Sequence, residues 1–413
     1  MLRISPFRAL RPQPHLAARV ASVPYDVVNT EEARELASGN EDSFLHVIRP
    51  EIDLPDDVDP YDDRVYAGGR AALDRLIADG IMERDTEPGI YLYRQVMNHR
   101  TQVGVVCCSH IDDYAEGRIK KHEFTRPVKE NDRTRHVLEL EANAGPVFLT
   151  FRNDAAIHEL MQADLNQRPM VHFDAPDDVT HTVWRVRDPQ AYVAAFGMLP
   201  ASYVADGHHR AASAGRAGAE RRAANPNHDG SEAYNWFLTV LFPADDLTIL
   251  PYHRVVRDLN GHDVAGVRAA LSAIGTLEAT DEPVPPQRGA FGVYLDGQWS
   301  RLTLPVDSID RSDPVESLDC ALLQSRVLTP ILGIGDPRTD ERVDFIGGIR
   351  GPGELSKRVD AGRDAIAFAL HATSIEELLD VADADTVMPP KSTWFEPKLR
   401  SGLFVHRLDG TVT

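Results

Sequence analysis

The sequence predicts an α/β protein of two domains, and three observations carry that reading. Short apolar runs alternate with amphipathic stretches along the chain, the pattern of mixed strands and helices. At 42% hydrophobic and 26% charged, the composition suits an ordinary buried core. The 413 residues are long enough for two or three domains at the usual ~100–200 residues each. The texture changes near residues 259–263, so the boundary is placed near 250, giving domains 1–250 and 251–413.

Each element has a local reason. Residues 27–37 open with Asn29-Thr30-Glu31-Glu32, an N-cap followed by acids in the first turn, hence a helix. Residues 43–48 read as a β-type run stopped by Pro50. Residues 62–79 carry apolar groups at helical spacing and end at Gly80. Residues 89–96 and 102–110 are strands joined by a hairpin at Asn98-His99-Arg100. Residues 117–136 are strongly polar and read as a shaped loop, because Lys121-His122-Glu123 and Arg126-Pro127 are poor helix material. Further on, 146–151 is a strand, 154–166 a helix, 203–205 a short strand and 208–218 an alanine-rich helix. Residues 236–242 and 247–256 read as strands, 264–274 as a helix, and 291–305 as a hairpin turning at Asp296-Gly297.

Composition narrows the function. The formal charge of −20 argues against coating nucleic acid or an anionic membrane, since both need a positive surface. It leaves room for a local basic pocket. Three cysteines, Cys107, Cys108 and Cys320, form no CxxC and give no zinc signature. The chain opens without a signal-type apolar segment and contains no run of ~18 apolar residues, so a cytoplasmic protein is expected.

The most informative string is Asp206-Gly207-His208-His209-Arg210. A short strand ending in Asp-Gly and opening into an Ala-rich helix is a recurrent anion site. Gly207 permits φ > 0 and close approach. The first-turn amides of the helix are unsatisfied, and its dipole favours negative charge. Arg210 offers a planar fork suited to phosphate. Adjacent His208 and His209 project ~100° apart on a helix and so serve different roles. Asp206 is placed to cap amides or hold a metal-bound water. An ordinary capped helix is the bland alternative. Two more stretches add cations. Residues 118–136 hold Arg118, Lys120, Lys121, Arg126, Lys129, Arg133 and Arg135 against Glu123, Glu130 and Asp132. The loop 388–398 stiffens Lys391 and Lys398 with three prolines and adds Trp394 and Phe395. Smaller candidates are Val23-Pro24-Tyr25-Asp26-Val27, Arg49-Pro50-Glu51 and Pro251-Tyr252-His253-Arg254, each at the end of an apolar run.

Taken together, residues 22–28, 121–136, 205–210 and 388–402 resemble the signatures of a bacterial and archaeal domain-of-unknown-function family. Its Ala-Asp-Gly-His-His-Arg and Met-Pro-Pro-Lys-Ser-Thr strings stand here at 205–210 and 388–393. The histidine-arginine turn in turn resembles that of the ParB/sulfiredoxin-like superfamily, which includes CTP-binding ParB proteins, sulfiredoxin and nucleotide-dependent free serine kinases. The resemblance implies a ParB/sulfiredoxin-like nucleotide-binding core in the first domain, followed by a second α/β domain whose Lys391 loop caps the site. The sulfiredoxin branch needs a cysteine where this chain has histidine, and the ParB branch needs DNA-binding helices and a basic surface. The kinase branch is the nearest.

That resemblance implies phosphoryl transfer between ATP or ADP and a free hydroxyl amino acid, serine or, in reverse, phosphoserine, with Mg²⁺. Gly207, His208, Arg210, Lys121, Arg126 and Lys391 would bind the nucleotide. Asp206 and His209 would act in catalysis, with Asp206 also at the metal, and Glu51 or Glu123 would take the hydroxyl proton. Ala211 stands where members of that superfamily often carry a larger residue. A non-catalytic nucleotide sensor and a metal-dependent phosphohydrolase remain as alternatives, and a homodimer is admitted without being specified.

Overall fold

Nine strands join in one mixed sheet in the computed structural model, which describes residues 1–413. They are β1 (Ile4–Ser5), β2 (Tyr91–Met97), β3 (Arg100–His110), β4 (Ile119–Lys120), β5 (Val147–Phe151), β6 (Val171–Asp174), β7 (Thr180–Arg185), β8 (Ser202–Asp206) and β9 (Trp236–Pro243). Their order is β4-β8-β5-β9-β3-β2-β7-β6, and β1 pairs with the end of β3. β8 runs parallel to β4, and β9 parallel to β5, while the remaining neighbours are antiparallel. Strands β3, β5 and β9 are buried on both faces, which is why they read as continuous apolar runs.

The helices of this unit are α1 (Thr30–Ala37), α2 (Asp63–Ala78), α3 (Pro127–Leu140), α4 (Ala155–Leu165), α5 (Pro189–Phe196) and α6 (His208–Ala224). Asn29 and Glu32 form the reciprocal cap expected at the start of α1. Leu92, Val105, Leu149, Phe151 and Val204 of the sheet pack with Ile157, Phe196, Ala211 and Ala214 of the helices. The small alanines let α6 lie close to the strands. A second core gathers Phe44, Val47, Ile48, Leu73, Leu76 and Leu140.

The chain divides into two units, Met1–Leu247 with Pro397–Thr413, and Thr248–Glu396. Residues 397–413, read from the sequence as part of the second domain, therefore pack with the first unit. They are bonded in by the bridges Ser22–Ser401 and Leu10–Val405, and by His406–Arg407 pairing with Ala142–Asn143. The second unit is a six-stranded antiparallel sheet. Its strands are β10 (Tyr252–Val256), β11 (Thr276–Ala279), β12 (Ala290–Leu295), β13 (Gln298–Thr303), β14 (Val343–Gly347) and β15 (Ile366–Leu370), in the order β11-β13-β12-β15-β10-β14. It carries α7 (Val264–Ile274), α8 (Pro352–Asp360) and α9 (Ile375–Asp383). The chain enters and leaves this unit through a two-stranded ribbon in which Ile249 pairs with Phe395 and Leu250 with Trp394.

Two local expectations are corrected. Residues 43–48 are not a strand: Leu45–Ile48 is a helical turn whose Leu45 N–H donates to Ser43 Oγ, followed by the 3₁₀ turn Pro50–Asp53. The short apolar cluster Phe44, Leu45, Val47 and Ile48 is buried equally well by one turn of helix. Residues 117–136 are not all loop, because Pro127 opens α3. Proline at the first helical position is pre-organised for the helix and loses no hydrogen bond there.

Candidate functional site at two converging helix ends

Strand β8 delivers Asp206, and the chain turns at once through Gly207 into α6. Gly207 has φ +93°, and a Cβ there would stand 3.0 Å from Arg210 Nε, so both backbone and space call for glycine. No side chain caps the N-terminus of α6. Residues 121–126 run past this turn into α3, whose N-terminus also lacks a side-chain cap. The Arg126 N–H donates to His209 Nε2 at 3.0 Å, which places the proton of a neutral His209 ring on Nδ1. The positive ends of two helices, 14 and 17 residues long, therefore meet at His209.

His208 turns inward. Its ring meets that of His122 edge to face at 4.5 Å, and its Nδ1 lies 4.0 Å from Glu123 Oε2. Both rings are buried, and His208 Nε2 and the two ring nitrogens of His122 make no hydrogen bond. Burial pushes His122 down to about 4, and burial together with the His122 ring holds His208 well below the usual range. Burial also lowers His209, against the pull of Asp26. All three rings are neutral near pH 7.

Arg210 is not the exposed phosphate fork expected from sequence. Its guanidinium is buried, donating from Nη1 to the Pro146 carbonyl at 2.6 Å and from Nη2 to Asp206 Oδ2 at 2.8 Å. It lies against Gly207 because the turn folds the side chain back over the backbone. Arg210 borders a cavity of about 40 Å³ with Tyr25, Arg133, Asn143 and Ser213. That is far below the ~300–1,000 Å³ of a ligand pocket.

Asp206 is held on both oxygens, by Arg210 and by Lys398 Nζ at 3.4 Å from Oδ1. Burial opposes its ionisation, but Lys398 and Arg210 outweigh that and keep the carboxyl well below the usual range. A carboxylate shared between two cations is poorly placed to take a dication. Nor are any three His, Cys, Asp or Glu side chains gathered to hold a metal. The residues present therefore do not fit Asp206 as a resident metal ligand.

Residues 4–321 match the family described as a protein of unknown function, DUF1015. The chain belongs to that family. No curated protein matches it in sequence. Solved structures that it resembles include a free serine kinase in complex with AMP, with 12% identity, TM-score 0.34, and coverage of 71% of this chain and 86% of that one. Another is SbnI from Staphylococcus aureus with a C-terminal truncation, at 11% identity, TM-score 0.38, and 72% and 85% coverage. A third is a conserved hypothetical protein from Pyrococcus furiosus, at 13% identity, TM-score 0.32, and 71% and 90% coverage. At these scores the likeness transfers no residue role to this DUF1015 chain.

The other expected residues are placed as follows. Lys121 stands beside the site with its ammonium over the Tyr114 ring at 4.5 Å. Glu123 borders His208 with its side chain 43% exposed. Glu51 is paired with Arg49 at 2.8 Å and bears on Arg133, whose guanidinium covers the Tyr25 ring at 4.4 Å. Lys391 belongs to the second unit, where its ammonium lies over Tyr252 at 5.5 Å and its carbonyl accepts from Arg254. Two groups carry more of the site than sequence reasoning assigned them. Lys398 pairs with Asp206, although the same proline-rich loop drew attention to Lys391. Asp26, from the 23–27 string, lies 3.9 Å from Arg210 Nη2 with its carboxylate 38% exposed, and its charge bears on His209. Their signal was present only as short motifs far apart in the chain.

Proposed function

We propose that this chain moves a phosphoryl group between ATP or ADP and a small hydroxyl amino acid such as serine. The observation that carries the reading is the meeting of the uncapped N-termini of α3 and α6 at His209, flanked by Arg126, Lys121 and Lys398. First-turn backbone amides, two helix N-termini brought together and nearby cations favour a polyphosphate. They do so in a chain of net charge −20, where cations gathered at one place need a reason.

Phosphoryl transfer asks for positioning, charge neutralisation and a base. The helix amides and Arg126 hold phosphate oxygens. Asp206 fixes Lys398 at the rim and Arg210 fixes the turn, so both act on geometry. In this reading Asp26 or Glu123 accepts the hydroxyl proton, and Glu51 is paired with Arg49. The hydroxyl oxygen bonds to the terminal phosphorus, the bond to the bridging oxygen breaks, and ADP departs with that electron pair. Mg²⁺ would arrive with the nucleotide phosphates and shield their charge, since Asp206 is engaged by Arg210 and Lys398.

Calorimetry with ADP, ATP and phosphoserine, followed by phosphorus NMR of ATP with serine, tests the proposal. The expected result is nucleotide binding and a serine-dependent phosphomonoester signal. Binding without turnover would make the chain a nucleotide sensor, and no binding would remove the phosphate reading.

A further inference from the structure

We infer that Phe124 is the platform on which the base of a bound nucleotide stacks, an inference that rests on reading the two helix ends as a phosphate site. The segment from Lys121 to Arg126 is tied down at every other residue. Lys121 sits over Tyr114 at 4.5 Å, the His122 ring meets His208 at 4.5 Å, and Glu123 reaches His208 at 4.0 Å. Thr125 Oγ1 donates to Glu130 at 2.7 Å, and the Arg126 N–H donates to His209 at 3.0 Å. Phe124 turns outward: it is 70% exposed, against 39% for Tyr61, the other exposed aromatic ring. Val128, 61% exposed, follows four residues on. Both are exposed apolar side chains in a segment that also carries Lys121, Arg126 and Lys129.

The spacing suits one ligand with two chemistries. Phe124 is two residues from Arg126, at most about 7 Å of extended backbone. A phosphate at the helix ends therefore leaves a base within reach of the phenyl ring. A phenyl ring offers a π face and no polar atom, and every base has a face to lay on it. The site would thus separate nucleotides from bare polyphosphates without choosing strongly among bases.

Calorimetry with ADP, GDP and inorganic pyrophosphate on the full chain, wild type beside Phe124→Ala and Phe124→Trp, tests this. The expected result is that Phe124→Ala weakens ADP and GDP alike by roughly tenfold and leaves pyrophosphate unchanged, while Phe124→Trp retains nucleotide affinity. Equal weakening of all three ligands, or none, overturns the inference. A wild type that binds pyrophosphate as well as it binds ADP also overturns it while leaving the phosphate site standing. A wild type that binds neither overturns both readings. If Phe124→Ala instead abolishes a dimer seen by sedimentation and leaves ADP affinity intact, the ring belongs to a contact between copies and the inference falls.

Discussion

Removing the Arg210 guanidinium takes a buried cation away from Asp206 and a donor away from the Pro146 carbonyl. Breaking such a pair from one side leaves an uncompensated group behind, so Arg210→Ala should cost about 3 kcal/mol in urea unfolding. Arg210→Lys should not restore it, because an ammonium cannot reach both partners in the plane of the fork. Full stability with lost ligand binding would instead return Arg210 to the phosphates. An arginine in the first turn of a helix that opens at a glycine signals anion chemistry in sequence, but whether the fork faces ligand or core depends on one rotamer. A second residue-level prediction concerns acid. His122, His253 and His406 are pushed by burial down to about 4, below the ordinary value of 6.5. The unfolded chain then binds more protons than the folded one, so these groups stabilise the fold above pH 6.5. That stability is lost as pH falls from about 6.5 towards 4, at about 1.4 kcal/mol per pH unit for each histidine. The melting temperature should be flat above pH 7 and drop steeply between pH 6 and 4.5. A flat profile through that window would mean these rings are not held neutral.

At the scale of elements, α6 separates two glycines that look alike in sequence. A Cβ at Gly218 would collide with the Tyr234 carbonyl and the Ile111 side chain, whereas one at Gly215 would make an ordinary 3.5 Å contact with Tyr114. Gly218→Ala should therefore destabilise by about 1–3 kcal/mol through overpacking. Gly215→Ala should stabilise by roughly 0.4–1 kcal/mol by restraining the unfolded chain. Melting curves of the two variants check both signs, and the account of helix packing fails if they move together. Most elements were readable because period, caps and turn residues agree locally. Asn29 with Glu32, Gly80 after α2, and Asp296-Gly297 in the β12–β13 hairpin are examples. The two misread stretches, 43–48 and 127–136, lack that agreement: one is too short to show a period, and the other hides its helix behind an initial proline.

At the scale of the molecule, the second unit is an insertion between Leu247 and Pro397, entered and left through the ribbon at Ile249 and Phe395. The two cut ends therefore lie close together, so replacing residues 248–396 with a short Gly-Ser linker should leave the first unit folded. Amide exchange should then show α6 and β8 protected as in the full chain. Loss of that protection would show that the first unit depends on the second. Truncation after Glu396 should do the opposite, since it removes Lys398 and the Ser401, Val405 and His406 bonds to the first unit.

By itself the sequence determined the α/β class and a strand-turn-helix over residues 203–218, whose turn it marked as a candidate anion site. These follow from local physics: hydrophobic period, the freedom of glycine at positive φ, and unsatisfied amides at a helix start. Tertiary structure alone decided that α3 aims its N-terminus at His209 and that Arg210 folds inward. It also decided that Lys398 and not Lys391 pairs with Asp206, and that Asp26 stands at the rim. Those facts depend on which distant segments the sheet order and the returning C-terminus bring side by side. The pairs 126–209, 206–398 and 26–210 are set by packing over the whole unit, and no local pattern along the chain encodes them.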